Sequence, residues 1–533
     1  MTSEPFYQKN PILKDPTVNV TFEELLGMTL DEFDGWVKHS RAKILEAWNT
    51  HGCPPRSGRT FDQMVDSFNQ LTTANITKFT HDDELTPNEK GTVIINTIHS
   101  GTEVDQFFSN MMKVAMCYGM DTTGYSVYDM FANDKYLPSM LKRSRRHFRR
   151  DSFYHYSKCI KKNDVPSALI EAETGVEWIE KYFLYKQEIF KNYEFWIQET
   201  EKDDSVSTGY YQVKQSDFLC LSKQELLDLH AKYTFNNINL ANVDISKLKD
   251  DGLYMIRFFQ LGQKLYPKAF TAYRIGYISV PINFPPMTAK YLYEKFTDHL
   301  VGKQETITVY DPSSGWAGRI LGAMSVSTDR KIHYVGTDPN PDNIHTDGKS
   351  KYEHVAEFVN TNTYRSNPLF GNTNTYDIYQ EGSEEIRNHP RFQQYKGNID
   401  LIFTSPPYWQ RELYSTDPNQ AGIKYGSSYE SWRDGFLIPT LKTCVEWLRP
   451  GGYLLWNIAD ILIAGKYMPL EEDSKACLLS LGMNHTQTLK MVLSSMPGSN
   501  RLDSNGIPKC KNFCRVKGKY HKYEPIFVFQ KPL

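Results

Sequence analysis

The most informative stretch of this 533-residue sequence is DLIFTSPPY, at residues 400–408. Residues 400–403 are mostly apolar, which predicts a short buried strand. Two consecutive prolines follow, Pro406 and Pro407. Because proline fixes φ and lacks a backbone donor, the strand must end there. The stretch therefore predicts a buried strand that runs into a rigid, polar corner.

The sequence around this stretch alternates between strand-like and helix-like segments. Further β-branched or aromatic runs lie at 306–310, 332–336, 376–379 and 453–456. Helix-length segments such as 429–448 separate them, and this alternation predicts a wound α/β sheet. The last two candidate strands, 486–493 and 525–529, leave no room for a crossover helix. We expect a mostly parallel sheet that ends in an antiparallel hairpin with a long loop.

The chain is too long for one ordinary domain, and its two halves differ in character. Residues 22 to about 200 hold helix-like stretches with few strand-like runs, and the polar segment 199–208 has the composition of a linker. We predict a mainly helical N-terminal region, residues 1–250, followed by an α/β domain at residues 270–533.

Composition limits the kinds of function that are possible. The formal net charge is −2, so a nucleic acid would have to bind through local basic patches. The eight cysteines are scattered, and the first residues, 1–10, are too polar for a secretory signal. No apolar stretch is long enough to span a membrane. These features predict a protein of the reducing cytoplasm.

Three successive strand ends carry residues suited to a nucleotide-type cofactor. The first strand leads into a glycine-containing turn with Asp311, Ser313 and Gly315, and then into a helix at 319–326. Small residues let the backbone approach a ligand there, and the N–H groups of a helix N-terminus face it. At the second strand end, Asp338 is placed to accept the hydroxyls of a ribose. At the third, Gln380 or Glu381 is placed to reach an adenine edge. Taken singly, each is equally consistent with an ordinary turn or helix cap.

The corner after residue 404 has the groups needed to hold an amine. The prolines leave backbone carbonyls without local partners, so one carbonyl and the Ser405 hydroxyl can accept hydrogen bonds from an NH₂ group. Tyr408 offers a flat face on which a base can stack. Positioning of this kind needs neither a metal nor a covalent nucleophile, but a base in a duplex would first have to be flipped out. A plain Pro-Pro turn is the alternative.

The motif TSPPY resembles the catalytic signature of the S-adenosylmethionine-dependent DNA amino-methyltransferases, which act on N4 of cytosine or N6 of adenine. Residues 284–292, 311–318, 449–460 and 523–529 are similar to other motifs of that family, in a workable order, and the similarity covers about 280–533. It implies a Rossmann-like methyltransferase sheet and S-adenosyl-L-methionine as cofactor. The catalytic residues that it implies are Ser405, Pro406, Pro407 and Tyr408. The cofactor-binding residues that it implies are Pro286, Thr288, Asp311, Ser313, Gly315, Asp338, Glu381 and Thr404.

The sequence departs from the family pattern in two places. Trp316 and Ala317 replace a small residue and a glycine, so the cofactor turn is bulkier. The catalytic half also has no room for a target-recognition domain, so residues 1–250 should supply one. The resemblance implies DNA as partner, in the cytoplasm of a bacterial or phage-infected cell. RNA as substrate, and a non-catalytic nucleic-acid-binding protein on a degraded methyltransferase scaffold, remain alternatives. Oligomeric state and recognition sequence stay open.

Two basic segments are candidates for nucleic-acid contacts. The run 142–150 contains Arg143, Arg145, Arg146 and Arg149, which suit phosphate contacts but are equally consistent with a solvated helix face. The predicted hairpin loop 494–522 is the second candidate, through Arg515 and Lys517. The loop also holds Cys510 and Cys514, with His521 nearby. Because a second matching pair of ligands is missing, we predict no metal site there or elsewhere.

Overall fold

The computed structural model describes residues 15, 17–18, 29–51, 61–141 and 281–533, together with three strands between 195 and 255; within these ranges it omits 77–78, 97, 117–124, 367–372, 464–465, 494–502 and 504–505. The chain divides into two compact units. The first, called the sheet unit below, comprises residues 1–8, 58–127 and 280–533. The second comprises residues 9–57 and 128–279.

The described strands and α-helices are numbered in chain order. The strands are β1 (Thr80–His81), β2 (Val93–Ile94), β3 (Ala115–Met116), β4 (Phe195–Glu199), β5 (Gly209–Val213), β6 (Tyr254–Met255), β7 (Ile307–Asp311), β8 (Ile332–Thr337), β9 (Thr375–Tyr379), β10 (Ile399–Thr404), β11 (Glu412–Leu413), β12 (Leu448–Asn457), β13 (Ile461–Ile463), β14 (Lys466–Met468), β15 (Asn484–Val492), β16 (Phe513–Val516) and β17 (Lys519–Gln530). The helices are α1 (Leu30–His51), α2 (Phe61–Thr73), α3 (Val127–Ala132), α4 (Pro286–Thr297), α5 (Gly318–Met324), α6 (Lys351–Asn362), α7 (Ala421–Lys424), α8 (Tyr429–Trp432), α9 (Ile438–Trp447) and α10 (Leu470–Ser480).

The sheet unit is built on a central sheet with β10 in its interior. All six residues of β10 are buried because both faces of the sheet are covered. Leu401 and Phe403 belong to the core beneath α4, α5 and α6, whereas Ile402 belongs to the core beneath α9 and α10. This alternation follows the two-residue period of a strand and explains why residues 400–403 form an almost continuous apolar run.

The strand order is β9-β8-β7-β10-β12-β17-β15, followed by β2 and β1. The neighbours from β9 to β12 are parallel, whereas β17 is antiparallel to both β12 and β15. If β7, β8, β9, β10 and β12 are numbered 1 to 5, their order in the sheet is 3-2-1-4-5, as in a doubly wound sheet. An antiparallel hairpin completes the sheet, and its second strand, β17, lies between β12 and its first strand, β15. The predicted α/β fold, a mostly parallel wound sheet that ends in an antiparallel hairpin, is confirmed.

An N-terminal segment extends the same sheet. Strand β2 pairs in parallel with β15, and β1 pairs with β2 in turn. Phe68 of α2 and Phe107 pack edge-on against Phe358 of α6. Residues 58–127 are therefore part of the sheet unit, whereas the sequence suggested one N-terminal region over 1–250.

The second unit has helix α1 as its longest described element. Trp48 is buried, with its ring 5.1 Å from that of Tyr128 and 6.1 Å from that of Phe131. Arg41 donates to the backbone oxygen of Met130 and pairs with Asp134 at 2.7 Å. Strands β5, β4 and β6 form a separate three-stranded sheet in this unit. The basic run 142–150, including Arg143, Arg145, Arg146 and Arg149, lies outside the described residues.

Among the helices in the part of the chain that the structure describes, none combines the length and the apolar character that crossing a membrane requires.

Candidate active site

The turn after β7 is organised by the buried carboxylate of Asp311. One oxygen accepts hydrogen bonds from Thr404 Oγ1 at 2.8 Å and from the backbone N–H of Ser313 at 3.3 Å. The other accepts from Arg319 Nε and from the Tyr334 hydroxyl, each at 2.8 Å. Asp311 thus joins the carboxyl ends of β7 and β10, a residue of β8 and the start of α5. It shapes the floor of the site.

The conformation of the turn brings the N-terminus of α5 close to the strand ends. Gly315 has φ 60° and Ala317, which precedes α5, has φ 63°. Asn283 accepts the N–H of Gly318 at 3.1 Å and donates to Trp316 O at 2.7 Å. This side chain therefore supplies a cap to the N-terminus of α5. Trp316 and Ala317 do not prevent the turn from forming.

Asp338 follows β8 and faces the cleft beside this turn. Its Oδ1 accepts the N–H of Asn340 at 2.8 Å and the side chain of Asn343 at 3.3 Å. Its Oδ2 accepts the hydroxyl of Tyr352, in α6, at 2.9 Å. These bonds lower the pKa of the carboxyl, but burial outweighs them and raises the pKa of Asp338 to about 6. The group therefore titrates close to physiological pH.

Glu384 is a cleft residue that the sequence analysis missed. It is buried, and its Oε1 has no hydrogen-bond partner among the residues that the structure describes. Lys424 Nζ lies 3.7 Å from that oxygen, and burial raises the pKa of Glu384. Glu381, the residue predicted from the sequence, is partly exposed, and Glu384 rather than Glu381 is among the residues that line the cleft.

The Pro-Pro corner follows β10 as predicted, and Tyr408 is anchored at its end. The Tyr408 hydroxyl donates to Glu524 Oε1 at 2.7 Å and contacts the backbone oxygen of Asn457 at 3.3 Å. Burial, together with the nearby carboxylate of Glu524, raises the pKa of Tyr408 well above its ordinary value. Glu524 lies in β17 and Asn457 ends β12. Two strands therefore fix the orientation of the Tyr408 ring through its hydroxyl.

These elements surround one cleft with a volume of about 580 Å³. It is lined by Pro312, Ser313, Gly315, Trp316, Asp338, Pro339, Asn340, Asn343, Gly382, Ser383, Glu384, Ser405, Pro407, Tyr414, Asn419, Gln420, Ala421 and Phe436. The cleft thus brings together Ser313, Gly315 and Asp338 from the predicted cofactor half with Ser405 and Pro407 from the predicted reactive half.

The other predicted residues are placed around or beneath this cleft. Asp311 and Thr404 are fully buried and bonded to each other. Pro286 and Thr288 are buried in α4, which packs closely on α5. Pro406 is buried, and Tyr408 is partly buried beside Glu524.

Residues 409–428 cover one side of the cleft. Strand β11 pairs with β3 of the N-terminal segment, and this pairing holds the cover in place. The hydroxyl of Tyr414 donates to Glu412, and burial raises the pKa of that carboxyl. Trp316 packs against both Tyr414 and Phe108, at ring distances of 6.0 and 5.8 Å. The bulky residue of the turn is therefore a wall of the cleft.

The predicted basic loop 494–522 contains the hairpin of β16 and β17, and residues 494–502 and 504–505 of this loop lie outside the described residues. Lys517 is exposed at its tip, with φ 49°. Arg515 is partly neutralised, because its Nε lies 3.4 Å from Glu84 and its guanidinium lies over the ring of Tyr520. Cys514 is buried between Val93 and Val516, and its side chain contributes to the core of this hairpin.

Comparisons with known proteins give the following matches. No protein-family model matches the chain, and no curated protein matches it. A candidate DNA modification methylase of Thermus thermophilus, complexed with S-adenosyl-L-methionine, is 22% identical over 29% of this chain and 54% of that chain, with a TM-score of 0.19. TrmN of Thermus thermophilus is 14% identical over 46% and 48%, with a TM-score of 0.24. A candidate class I S-adenosylmethionine-dependent methyltransferase of Listeria monocytogenes is 14% identical over 59% and 82%, with a TM-score of 0.27.

The chain spans about half the length of the first two of these proteins.

Proposed function

We propose that this chain transfers a methyl group from S-adenosylmethionine to the exocyclic amine of cytosine (N4) or adenine (N6) in DNA. One observation carries the proposal. The Ser-Pro-Pro-Tyr corner follows the interior strand β10, and its Ser405 and Pro407 line the same cleft as Gly315 and Asp338. A base held at the corner and a cofactor held at the strand ends would therefore share one cavity.

The side chains of the cleft suit this cofactor. Asp338 offers carboxylate oxygens to the ribose hydroxyls, as in other doubly wound sheets. Glu384 Oε1, buried and without a hydrogen-bond partner among the described residues, suits the amine of an adenine. Gly315, Ser313 and the N-terminus of α5 allow close approach of a ligand to the backbone. The cofactor would supply an electrophilic methyl group.

The chain itself would supply position and hydrogen bonds. Ser405 Oγ and a backbone carbonyl of the corner accept the two N–H groups of the target amine, which turns its lone pair towards the cleft. The Tyr408 ring offers a stacking face, and its bond to Glu524 keeps that face in one orientation. Closing the site with residues 409–428 excludes water from the reacting amine.

Target selection belongs to the parts of the chain outside the cleft. We propose that the region 1–250 contributes to recognition, with the basic run 142–150 contacting phosphates. Lys517, exposed at the tip of its hairpin, is the stronger of the two downstream candidates, because Arg515 already lies close to Glu84. Such contacts weaken with salt as counterions are released.

The test is incubation of duplex DNA with the protein and labelled S-adenosylmethionine, followed by digestion and nucleoside mass spectrometry. We expect labelled N4-methylcytosine or N6-methyladenine. Tyr408→Ala should lower the yield by about 10²-fold, because loss of positioning costs about this much. Tyr467→Ala is the matched control, since Tyr467 is 60% exposed on β14 and lies outside the cleft.

Three other results would contradict the proposal in different ways. Label in single-stranded RNA but not in DNA would replace the substrate class. Cofactor binding without transfer to either would favour a non-catalytic nucleic-acid-binding protein on this fold. Equal loss of activity in the Tyr408 and Tyr467 variants would remove the assigned role of the corner.

A further inference from the structure

A loop between β8 and α6 brings two imidazoles and a carboxylate together at the surface of the sheet unit. His345 Nδ1 and His354 Nε2 each lie 3.2 Å from the same oxygen, Asp347 Oδ1. One ligand atom from each of the three residues lies within 4.8 Å of the other two. Zinc ligands at about 2.0–2.2 Å in a tetrahedron are separated from one another by roughly 3.3–3.6 Å. Both measured contacts are therefore close to the edge of such a tetrahedron.

The backbone of the loop holds two of these residues in place. The N–H of His345 donates to Lys349 O at 2.7 Å, and the N–H of Gly348 donates to His345 O at 2.9 Å. Gly348 has φ +85°, a conformation that favours glycine and permits this tight turn. The N–H of Lys349 also donates to Asp347 Oδ1 at 3.0 Å, which fixes the carboxylate at the tip.

The third residue is fixed to the loop by the start of α6. Ser350 and Glu353 form a capping box, and the N–H of His354 donates to Ser350 O at 3.2 Å. Ile344 and Ser350 pair across the base of the loop. The loop and the first turn of the helix are thus held together before any ion binds, so little ordering would be needed on binding.

We propose that His345, Asp347 and His354 form a Zn²⁺ site, with water completing the coordination. Two imidazole nitrogens and one carboxylate oxygen are a ligand set that zinc accepts, whereas Mg²⁺ and Ca²⁺ prefer oxygen alone. His345 and Asp347 lie in the loop after β8, and His354 lies in the first turn of α6. A bound metal would therefore fasten α6 to this loop. The sequence pattern pointed only to the cysteines near His521 as candidate zinc ligands.

The site has a consequence for the cleft, and this consequence rests on the proposed function. Asn343 lies two residues before His345, and Tyr352 lies two residues before His354. Both side chains donate to Asp338, and Asn343 also donates to the Tyr352 hydroxyl at 3.0 Å. Zinc would therefore stabilise the arrangement that holds Asp338, and cofactor affinity should fall when the metal is removed.

The test uses the full chain without a histidine tag, stripped with a chelator and dialysed against ZnCl₂. We expect one equivalent of zinc by mass spectrometry of the metal content, and d–d absorption bands of a tetrahedral site with CoCl₂. Asp347→Asn and His354→Ala should each remove the equivalent. His485→Ala, an exposed histidine of β15, and Cys510→Ser should retain it.

Absence of zinc binding by the wild type would overturn the proposal, and so would binding that survives both variants. Circular dichroism and thermal melting without metal identify a variant that has merely unfolded; Asp347→Asn keeps the shape of an exposed side chain and should fold. Metal content is measured independently of methyl transfer, so failure of the proposed function leaves this result interpretable.

Discussion

Asp338 accepts three hydrogen bonds from within the protein and yet has a raised pKa. The loss of water around the carboxylate therefore raises its pKa by more than the three hydrogen bonds lower it. A bound ribose would add the donors that water no longer provides. A partly buried acid with a raised pKa is characteristic of a binding site, and its protonation can be measured directly.

The first prediction concerns the pH dependence of cofactor binding. Only the carboxylate form of Asp338 can accept both hydroxyls, and its pKa is about 6. Affinity for S-adenosylmethionine should therefore fall as the pH drops through this value, by about tenfold between pH 7 and pH 5, because the ionised fraction changes by that factor. Isothermal titration calorimetry at several pH values measures this.

Asp338→Asn is the control for that experiment. It keeps the shape of the side chain but cannot titrate, so binding should be weak and should lose its dependence on pH near 6. A wild-type affinity that stays constant from pH 5 to pH 7 would contradict the assignment of Asp338 to the ribose.

At this scale the sequence predicted some residues better than others. Asp338 and Ser405 follow strands directly, so their place at the cleft could be predicted from the strand pattern. Glu384 comes five residues after β9, beyond a turn whose path the sequence does not reveal. Because the path of this turn decides which side chain faces inwards, the strand pattern alone points to Glu381 and gives no signal for Glu384, three positions later.

Among the elements, the turn from β7 to α5 is very tightly packed. A Cβ atom added at Gly318 would lie 2.0 Å from Phe284 O and 2.6 Å from Asn283 Oδ1. At the preceding position, Ala317 takes a left-handed conformation that costs a non-glycine residue roughly 1 kcal/mol. The two neighbouring positions should therefore respond differently to an exchange of glycine and alanine.

The second prediction is that Gly318→Ala destabilises the sheet unit by at least about 1–3 kcal/mol, the usual range for overpacking, since a backbone oxygen must move. It should also weaken cofactor binding, because the N-terminus of α5 shifts. Ala317→Gly should leave the free energy of unfolding within about 1 kcal/mol of the wild type, as relief of strain offsets the extra freedom of the unfolded chain. Chemical denaturation of both variants decides this.

Gly35→Ala in α1 is the matched control, because nothing lies within 4 Å of the added atom. It should be neutral or stabilising, by up to about 1 kcal/mol. Gly318→Ala protein as stable as the wild type would show that the contact with Asn283 and Phe284 can relax.

The elements were largely predictable, with informative exceptions. The predicted strands at 306–310, 332–336 and 376–379 agree with β7, β8 and β9 to within a residue. Strands β1 and β2 have two residues each, too few for any periodicity, and β2 is a strand because β15 offers it an edge. Long-range pairing of this kind leaves no local signal.

At the scale of the whole molecule, a buried ion cluster fastens the N-terminal segment to the sheet. Lys490 of β15 contacts Asp83 at 2.8 Å and Glu89 at 3.2 Å, and it donates to Thr86 at 2.8 Å. Lys490 and Asp83 have side-chain exposures of only 8% and 1%. Removing only one partner would leave a buried charge without compensation, and this destabilises a protein more than replacing both partners with apolar residues.

The third prediction is that Lys490→Met lowers the free energy of unfolding by on the order of 3 kcal/mol. Amide exchange in β2 and β15 should accelerate more than in β7 and β8. The double variant Lys490→Met with Asp83→Asn should lose less than the sum of the single variants, because the second change removes the stranded charge. Additive losses would show that the pair is not coupled.

Lys43→Met, at the exposed Lys43–Glu46 pair of α1, is the control and should change stability by less than about 1 kcal/mol. The cluster also explains why the composition of residues 58–127 does not reveal that they belong to the sheet unit. Composition changes near residue 200, but residues 58–127 belong to the sheet unit through contacts made more than 400 positions away.

The pairing of β2 with β15 bears on how the protein is made. Synthesis on the ribosome proceeds from the N-terminus, so residues 93–94 emerge long before residues 490–491, with which they pair. Until then this stretch can pair only with the two-residue strand β1, and its apolar side chains, such as Val93 and Ile94, must be shielded from other nascent chains. Contacts this distant in sequence also slow folding, because the entropy of closing a large loop is lost before the stabilising contacts form. Refolding from denaturant should therefore be slowest at this edge of the sheet, and expression should depend on chaperones more than the size of the protein suggests.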